Sequence, residues 1–257
     1  MNLKSNNPFL KNKSFSQTSA TTMYDEDGRP VEIIDYNSTM TINGTINKSI
    51  MLFVLLVASA IFSGYLMIFR EVNPIALSIG GAIAGLVVVI IAAFKPQYSG
   101  YLAPAYSLFK GLFVGAISVV FEIMYPGIVL QAVGGTLVTF MVCFLLYRFR
   151  IVKVTEQLKS VIIASTLAIA TYYLISFALS FAGIQLFHQG SSLMSIGFSV
   201  FVIVIAALNL FLDFDLIEQG AHRRMPKYME WFGAMGLMIT LVWLYVEFLR
   251  LLSKLRD

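Results

Sequence analysis

Residues 74–94 read PIALSIGGAIAGLVVVIIAAF, a stretch with no charged side chain and few polar ones. The hydrocarbon core of a bilayer is roughly 30 Å thick, and an α-helix needs about 20 mostly apolar residues to cross it. Lys95 and Pro96 follow directly and end the apolar run. The stretch therefore predicts a membrane-spanning helix.

Other stretches of the chain meet the same test of length and polarity. Together with the first, they occupy residues 50–69, 74–94, 101–121, 128–147, 161–181, 192–216 and 231–252. In lipid, backbone amides and carbonyls must be paired within the protein, and these runs are too long for the strands of a membrane barrel. The sequence predicts an all-α, polytopic membrane protein with seven transmembrane helices.

The composition agrees with this fold class. Of the 257 residues, 58% are apolar and only 12% are charged, whereas soluble domains carry about 25% charged residues. Cys143 is the single cysteine, so the chain can form neither an internal disulfide nor a cysteine metal cluster. Zinc-ligand spacings, phosphate-binding loops and nucleophile motifs are not apparent. We expect no enzyme activity, no cofactor and no nucleic-acid partner.

The chain divides into two parts of contrasting composition. Residues 1–47 are rich in Asn, Ser, Thr and Lys. Such a segment buries too little apolar surface to offset the entropy lost on ordering. We expect a disordered cytoplasmic tail over residues 1–47 and a transmembrane domain over residues 48–257.

Pairs of glycines four residues apart occur in two of the predicted spans. Gly81 and Gly85 form one pair, and Gly111 and Gly115 form the other. Small residues at this spacing let two helix backbones approach closely. We interpret both pairs as packing residues within the bundle rather than as a dimer signal.

The Lys and Arg residues of the short loops predict the orientation. The side of the N-terminus has Lys48, Lys95, Arg148, Arg150, Lys153, Lys159, Arg223, Arg224 and Lys227. Loops on the other side hold only Arg70, which places the N-terminus in the cytoplasm and, after seven spans, the C-terminus outside. Arg250, Lys254 and Arg256 disagree with this rule, and a re-entrant last helix would return them to the cytoplasm.

Ionisable residues within the spans are the candidates for function. A charge at the bilayer centre costs about 2.5–3.5 kcal/mol on insertion scales, so it persists where it meets a partner or water. The candidates for an ion or proton site are Lys110, Asp213, Asp215, Glu218, Glu230 and Glu247.

Helix geometry predicts an ion pair near the cytoplasmic side. Asp215 and Glu218 are three residues apart and share a face of the sixth helix, with Asp213 roughly on the opposite side. Lys110 lies about 13 Å into the third helix from the same end. We expect Lys110 to pair with Asp215 or Glu218. The alternative is that its side chain extends toward the membrane surface.

Glu247 lies about 24 Å beyond Trp231 along the seventh helix, toward the outer side of the membrane. Glu122 also lies toward that side, so the side chain of Glu247 is able to come close to it. Two buried carboxylates that share a site can bind a proton or a cation, and their protonation can gate a pore. The alternative is a solvated or arginine-paired Glu247 near the interface.

Several stretches resemble the Bax inhibitor family, also called the transmembrane Bax inhibitor motif family. They are YSLFKGLFVGAIS at 106–118, YPGIVLQAV at 125–133, LDFDLIE at 212–218 and EWFGAMGLMITLVWLYVEFLR at 230–250. The resemblance covers about residues 50–255 and points to a bacterial branch of the family.

This resemblance implies a fold, an activity and a location. Family members have seven helices with the last surrounded by the other six, and a pH-sensitive calcium leak is proposed for them. Eukaryotic members are linked to suppression of cell death, whereas a bacterial member implies the inner membrane. By motif, Asp215 and Glu247 match the family's paired acidic residues, with Glu in place of Asp at the second position. Lys110 stands where many relatives have Glu, and its charge would weaken calcium binding.

Other functions stay open from the residues alone. A regulatory protein that binds a membrane protease or a respiratory component would use its carboxylates structurally, paired with Lys110 and arginines. A secondary transporter often shows internal repeats, and none here is convincing. An intramembrane protease needs a Ser/His or paired-Asp motif, which is not apparent. The expected partners are the lipid bilayer, Ca²⁺ or H⁺, and other membrane proteins.

Overall fold

Seven long helices account for most of the chain that the structure describes. The structure is a computed structural model and describes residues 20–24, 30–34, 39–180, 190 and 192–257. The helices are α1 (Ile42–Arg70), α2 (Pro74–Phe94), α3 (Ser99–Met124), α4 (Ile128–Arg148), α5 (Glu156–Ser180), α6 (Leu193–His222) and α7 (Tyr228–Arg256). Each is long and apolar enough to cross a membrane. The predicted seven-helix fold is confirmed, and these helices imply a lipid bilayer as their environment.

The helices extend beyond several of the predicted spans. The bounds of α2 agree with the prediction, but α1 begins at Ile42 rather than at residue 50. It begins there because Thr41 caps the helix by accepting a hydrogen bond from the backbone amide of Gly44. The helices α5 and α6 also continue into charged sequence. The length of an apolar run marks where a helix lies in lipid, not where it ends.

A two-stranded hairpin precedes α1. The strand β1 (Ala20–Tyr24) pairs antiparallel with β2 (Pro30–Ile34), with Thr22 opposite Glu32. The hairpin and the start of α1 differ from the disordered tail expected over residues 1–47. Residues 1–19, 25–29 and 35–38 of that predicted tail lie outside the described residues.

The last helix, α7, lies at the centre of the bundle. The helices α1, α3, α4 and α6 pack along it. The helix α5 reaches it through the hydroxyl of Tyr173, which donates to Glu247, and α2 packs against α3. Leu244 and Leu249 of α7 are fully buried. The central position of the last helix agrees with the family resemblance, and it means that polar groups of α7 need partners from neighbouring helices.

The predicted packing glycines bring helix backbones into contact. A Cβ at Gly111 would lie 2.5 Å from a carbonyl oxygen of α1, and one at Gly115 would lie 2.8 Å from the Cα of Ala60. The hydroxyl of Ser59 bridges the same two helices by donating to the carbonyl oxygen of Leu108 at 2.7 Å. The interpretation of these glycines as packing residues is therefore confirmed.

The helix α7 is unbroken and ends beside the turn between α3 and α4. The alternative of a re-entrant last helix is therefore wrong. Arg256 donates to the carbonyl oxygen of Pro126 at 2.9 Å and to the side chain of Gln131 at 3.0 Å. Lys254 is buried and donates to the hydroxyl of Ser199 at 2.8 Å. These partners account for basic residues at this end of the bundle.

Candidate ion and proton site

The six candidate residues do not converge on one site. Asp215 lies about 10 Å from the end of α6, whereas Glu247 lies about 28 Å from the start of α7, at the same side of the bundle. The two carboxylates that match the family's acidic pair are therefore separated by about 18 Å along the bundle axis. Each candidate residue has different hydrogen-bond or ion-pair partners.

Glu230 joins the start of α7 to the start of α1. Its side chain is 1% exposed, and its Oε2 forms an ion pair with Lys48 of α1. Its Oε1 accepts from the backbone amide and the hydroxyl of Thr41, both at 2.9 Å. Gly44 leaves room for this carboxylate, since a Cβ there would lie 2.5 Å from the carboxyl carbon. Both oxygens have partners, so Glu230 is placed to hold two helices together.

Asp215 and Glu218 lie near the end of α6 and pair with basic residues of other elements. Asp215 is 2.8 Å from the ammonium nitrogen of Lys159 on α5. Glu218 is 2.9 Å from the guanidinium of Arg150, just after α4, and accepts from the hydroxyl of Tyr147. These contacts connect α6 to α5 and to the end of α4.

Lys110 does not contact the acidic residues of α6. Its aliphatic chain lies against Gly85 of α2, and its ammonium lies 4.9 Å from the centre of the Phe113 ring. The expected pairing with Asp215 or Glu218 is wrong, because both carboxylates have nearer partners. Among the described residues Lys110 forms no ion pair. The ring face of Phe113 partly stabilises its charge.

Asp213 points toward α7. The hydroxyl of Thr240 donates to its Oδ2 at 2.6 Å, and a Cβ at Gly236 would lie 3.5 Å from its Oδ1. In the described part of the chain, no basic residue pairs with Asp213. A carboxyl group at membrane depth with a hydroxyl partner and no counter-ion is suited to exchange a proton.

Glu247 is buried between α5 and α7, with 1% of its side chain exposed. Its Oε1 accepts from the hydroxyl of Tyr173 at 3.1 Å and from the guanidinium of Arg250 at 2.9 Å. That guanidinium also lies 4.9 Å from the centre of the Tyr173 ring. Within the described ranges, Oε2 of Glu247 has no hydrogen-bond partner. Leaving a buried acceptor unpaired costs about 1–3 kcal/mol or more, and a bound proton or cation would remove that cost.

Glu122 caps the start of α4. Its two carboxylate oxygens accept from the backbone amides of Gly127 at 2.6 Å and Val129 at 3.1 Å. The amides at a helix N-terminus are unpaired within the helix and favour a negative charge. The hydrogen-bond partners of Glu122 thus lie at the start of α4, and Glu247 is not among them.

Sequence reasoning missed the uncharged partners of the acidic residues. Thr41, Tyr173 and Thr240 each donate a hydroxyl hydrogen bond to a candidate carboxylate. A hydroxyl group within an apolar run carries no charge and does not interrupt the run. Thr240 is the hydroxyl partner that the sequence itself could have indicated. It is the only polar residue in the run 237–244 apart from the indole of Trp243.

Comparison with known proteins identifies the family of the chain. The search of curated proteins gives no match. A family model described as Bax inhibitor 1 like matches residues 7–257, a range that includes all seven helices and all six candidate residues. The chain therefore belongs to the Bax inhibitor 1 like family of integral membrane proteins.

Proposed function

We propose that the protein is a pH-sensitive leak for calcium or other cations, with Glu247 as its proton-sensitive group. The observation that supports this most is the burial of Glu247, whose Oε2 has no partner in the described chain. We also propose a bacterial inner membrane as its location, from the family resemblance, and a cytoplasmic N-terminus, from the basic residues of the loops.

Protonation of Glu247 would weaken the contacts between α7 and its neighbours. A guanidinium binds a carboxylate more strongly than it binds a neutral carboxyl group, so Arg250 would lose its partner. A second cation, Lys254, lies one turn beyond Arg250 on α7. Its ammonium donates a hydrogen bond to the hydroxyl of Ser199 on α6. Tyr173 faces Glu247 from α5. Loss of the negative charge would leave two cations close together and favour a shift of α7.

Asp213 would be the second carboxyl group along the path. It lies about 15 Å from Glu247 along the bundle axis. Ca²⁺ prefers six to eight oxygen ligands, and the described residues contain no group of three His, Cys, Asp or Glu side chains that could hold a metal ion. Separate carboxyl groups favour passage of a cation over its storage.

Replacing Glu247 by glutamine should make the leak fast and independent of pH. The amide keeps the size of the side chain and removes its charge, as protonation would. The amide oxygen of glutamine can still accept a hydrogen bond, but the bond from Arg250 loses the assistance of the negative charge. A loss of about 1–1.5 kcal/mol shifts the closed state relative to the open state by about 5- to 10-fold. Calcium release from liposomes that contain a calcium dye, measured at two pH values, tests this.

Glu156 provides the matched control for that experiment. It also lies on a helix, but its side chain is 87% exposed, so Glu156→Gln should keep the flux and pH response of the unmodified protein. If Glu247→Gln leaks as slowly as the unmodified protein and with the same pH response, Glu247 is not the proton-sensitive group.

Lys110 should lower the rate of cation passage. A positive charge roughly half way along α3 repels a passing cation, and a repulsion of only 1.4 kcal/mol slows passage about tenfold. Lys110→Met should therefore increase calcium flux by about tenfold in the same assay. Lys95→Met, at the exposed end of α2, should leave the flux unchanged. Equal flux in both variants would place Lys110 outside the path.

A regulatory protein that binds other membrane proteins is the second candidate function. It is supported by the ion pairs of Asp215, Glu218, Glu230 and Glu247 with basic residues of the same chain, since paired carboxylates can be purely structural. Crosslinking in native membranes, followed by identification of the partner, discriminates between the two. Calcium flux by the purified protein alone, sensitive to Glu247→Gln, would favour the leak.

A further inference from the structure

We infer that the segment between α4 and α5 binds anionic phospholipids at the membrane surface. This α4–α5 segment comprises residues 148–154, which read RFRIVKV, from the last residue of α4 to just before α5. Two apolar side chains of the segment are exposed, Phe149 by 70% and Ile151 by 68%, and they alternate with basic residues. This inference does not depend on the proposed leak.

The packing of the α4–α5 segment presents these side chains outward. Arg150 has a left-handed backbone conformation, with a φ of 55°, and the amide of Ile151 donates to a carbonyl oxygen in the last turn of α4 at 3.0 Å. Beyond this turn, Val152 and Val154 pack against the apolar core of the bundle, whereas their neighbours Ile151 and Lys153 are exposed. The outward positions are therefore set by the contacts of the inward ones.

The segment begins where α4 leaves the hydrocarbon. The helix α4 has 21 residues and is about 31 Å long, close to the hydrocarbon thickness of roughly 30 Å. Its apolar run ends at Tyr147, which places Phe149 at the level of the lipid headgroups. Apolar side chains that flank basic ones at this level enter the edge of the hydrocarbon. Lipid is thus the partner that this position favours over a soluble protein.

The charges of the α4–α5 segment favour an anionic lipid. The guanidinium of Arg150 pairs with Glu218, so the charge of Arg150 is compensated. Arg148 and Lys153 are exposed, and among the described residues neither forms an ion pair. The segment itself contains no acidic residue. Its net positive charge complements the phosphodiester of a negatively charged phospholipid.

Fluorescence quenching by brominated lipids tests the inference on the intact chain. Phe149→Trp keeps an aromatic ring in the segment, and Trp231→Phe with Trp243→Phe removes both other tryptophans. In vesicles of phosphatidylcholine, we expect brominated phosphatidylglycerol to quench the new tryptophan at a lower mole fraction than brominated phosphatidylcholine does. Arg148→Gln and Lys153→Gln should each lower this preference by about fivefold, the effect of one basic residue near a membrane surface.

Native mass spectrometry gives a second measurement that needs no tryptophan replacement. The unmodified protein should retain more phosphatidylglycerol than phosphatidylcholine from a mixture of equal amounts. The double variant Arg148→Gln/Lys153→Gln should lose most of this difference, because both uncompensated charges of the segment are gone.

Lys95→Gln is the matched control, because it removes one exposed lysine at the end of α2, on the same side of the bundle but outside the segment. It should leave both the quenching curves and the retained lipid unchanged. Equal quenching by both lipids, or equal effects of Lys95→Gln and Lys153→Gln, would overturn the inference. Quenching by neither lipid would place the segment away from the membrane, as a surface for a protein partner, and would overturn it as well.

Discussion

Replacing Gly115 by alanine should lower the thermal unfolding midpoint by about 6–12 °C. The new Cβ would lie 2.8 Å from the Cα of Ala60, and a backbone atom cannot move aside unless α1 shifts. Overpacking costs about 1–3 kcal/mol and occasionally more, and we expect the upper end here. Each kcal/mol corresponds to about 2–4 °C for a protein of this size. Unfolding of the purified protein in detergent, followed by fluorescence, measures the midpoint.

Gly134 of α4 is the matched control for Gly115. A Cβ at Gly134 would meet no atom within 4 Å, so alanine fits without strain. Alanine is favoured over glycine inside a helix by roughly 0.5–1 kcal/mol, so Gly134→Ala should raise the midpoint slightly or leave it unchanged. A similar loss of stability in both variants would mean that close packing of α1 and α3 is not the cause.

Replacing Lys48 by methionine should destabilise the protein by about 3–5 kcal/mol, the cost of leaving a buried charge without its partner. Glu230 is 1% exposed with Lys48 in place, so its charge depends on the lysine ammonium more than on water. The hydroxyl and amide of Thr41 would be the only hydrogen-bond donors left to the carboxylate among its present partners. The free energy of unfolding in denaturant, compared with that of the unmodified protein, measures this loss.

A double-mutant cycle separates the charge effect from lost packing. Adding Glu230→Gln to Lys48→Met removes the unpaired charge, so the double variant should recover most of the stability. Lys153→Met is the control for loss of a lysine, because Lys153 is exposed and should contribute little. A double variant as unstable as Lys48→Met alone would contradict the assignment of Glu230 as a carboxylate that depends on its ion pair.

Much of the fold follows from the sequence because crossing a membrane is a local requirement. An apolar run of sufficient length predicts a helix without knowledge of its neighbours, and the run at 74–94 coincides with α2. The polar ends of helices depend on caps and tertiary contacts instead. Thr41 starts α1 well before its apolar run and also contacts Glu230 of α7. The apolar run contains no information about that second contact.

The candidate site was less predictable, because ion pairs depend on which helices are neighbours. The spacing of Asp213 and Asp215 places them on different faces of α6, but packing decides that Asp213 faces Thr240 and Asp215 faces Lys159. Lys110 and Asp215 lie at comparable distances from the same side of the membrane, and this similarity in depth is the basis on which the sequence predicts that they pair. Depth along the membrane normal does not fix the position around the bundle.

The central position of α7 has a consequence for biosynthesis. The ribosome makes α7 after the other six helices, so the earlier helices enter the membrane before their common packing surface exists. Until then Lys48 of α1 has no Glu230 to pair with, and the inner faces of α1, α3, α4 and α6 remain open to lipid. Translation that stops before residue 228 would leave an unfinished bundle for membrane proteases to recognise. Insertion of α7 thus completes the packing of α1, α3, α4 and α6 around a common helix.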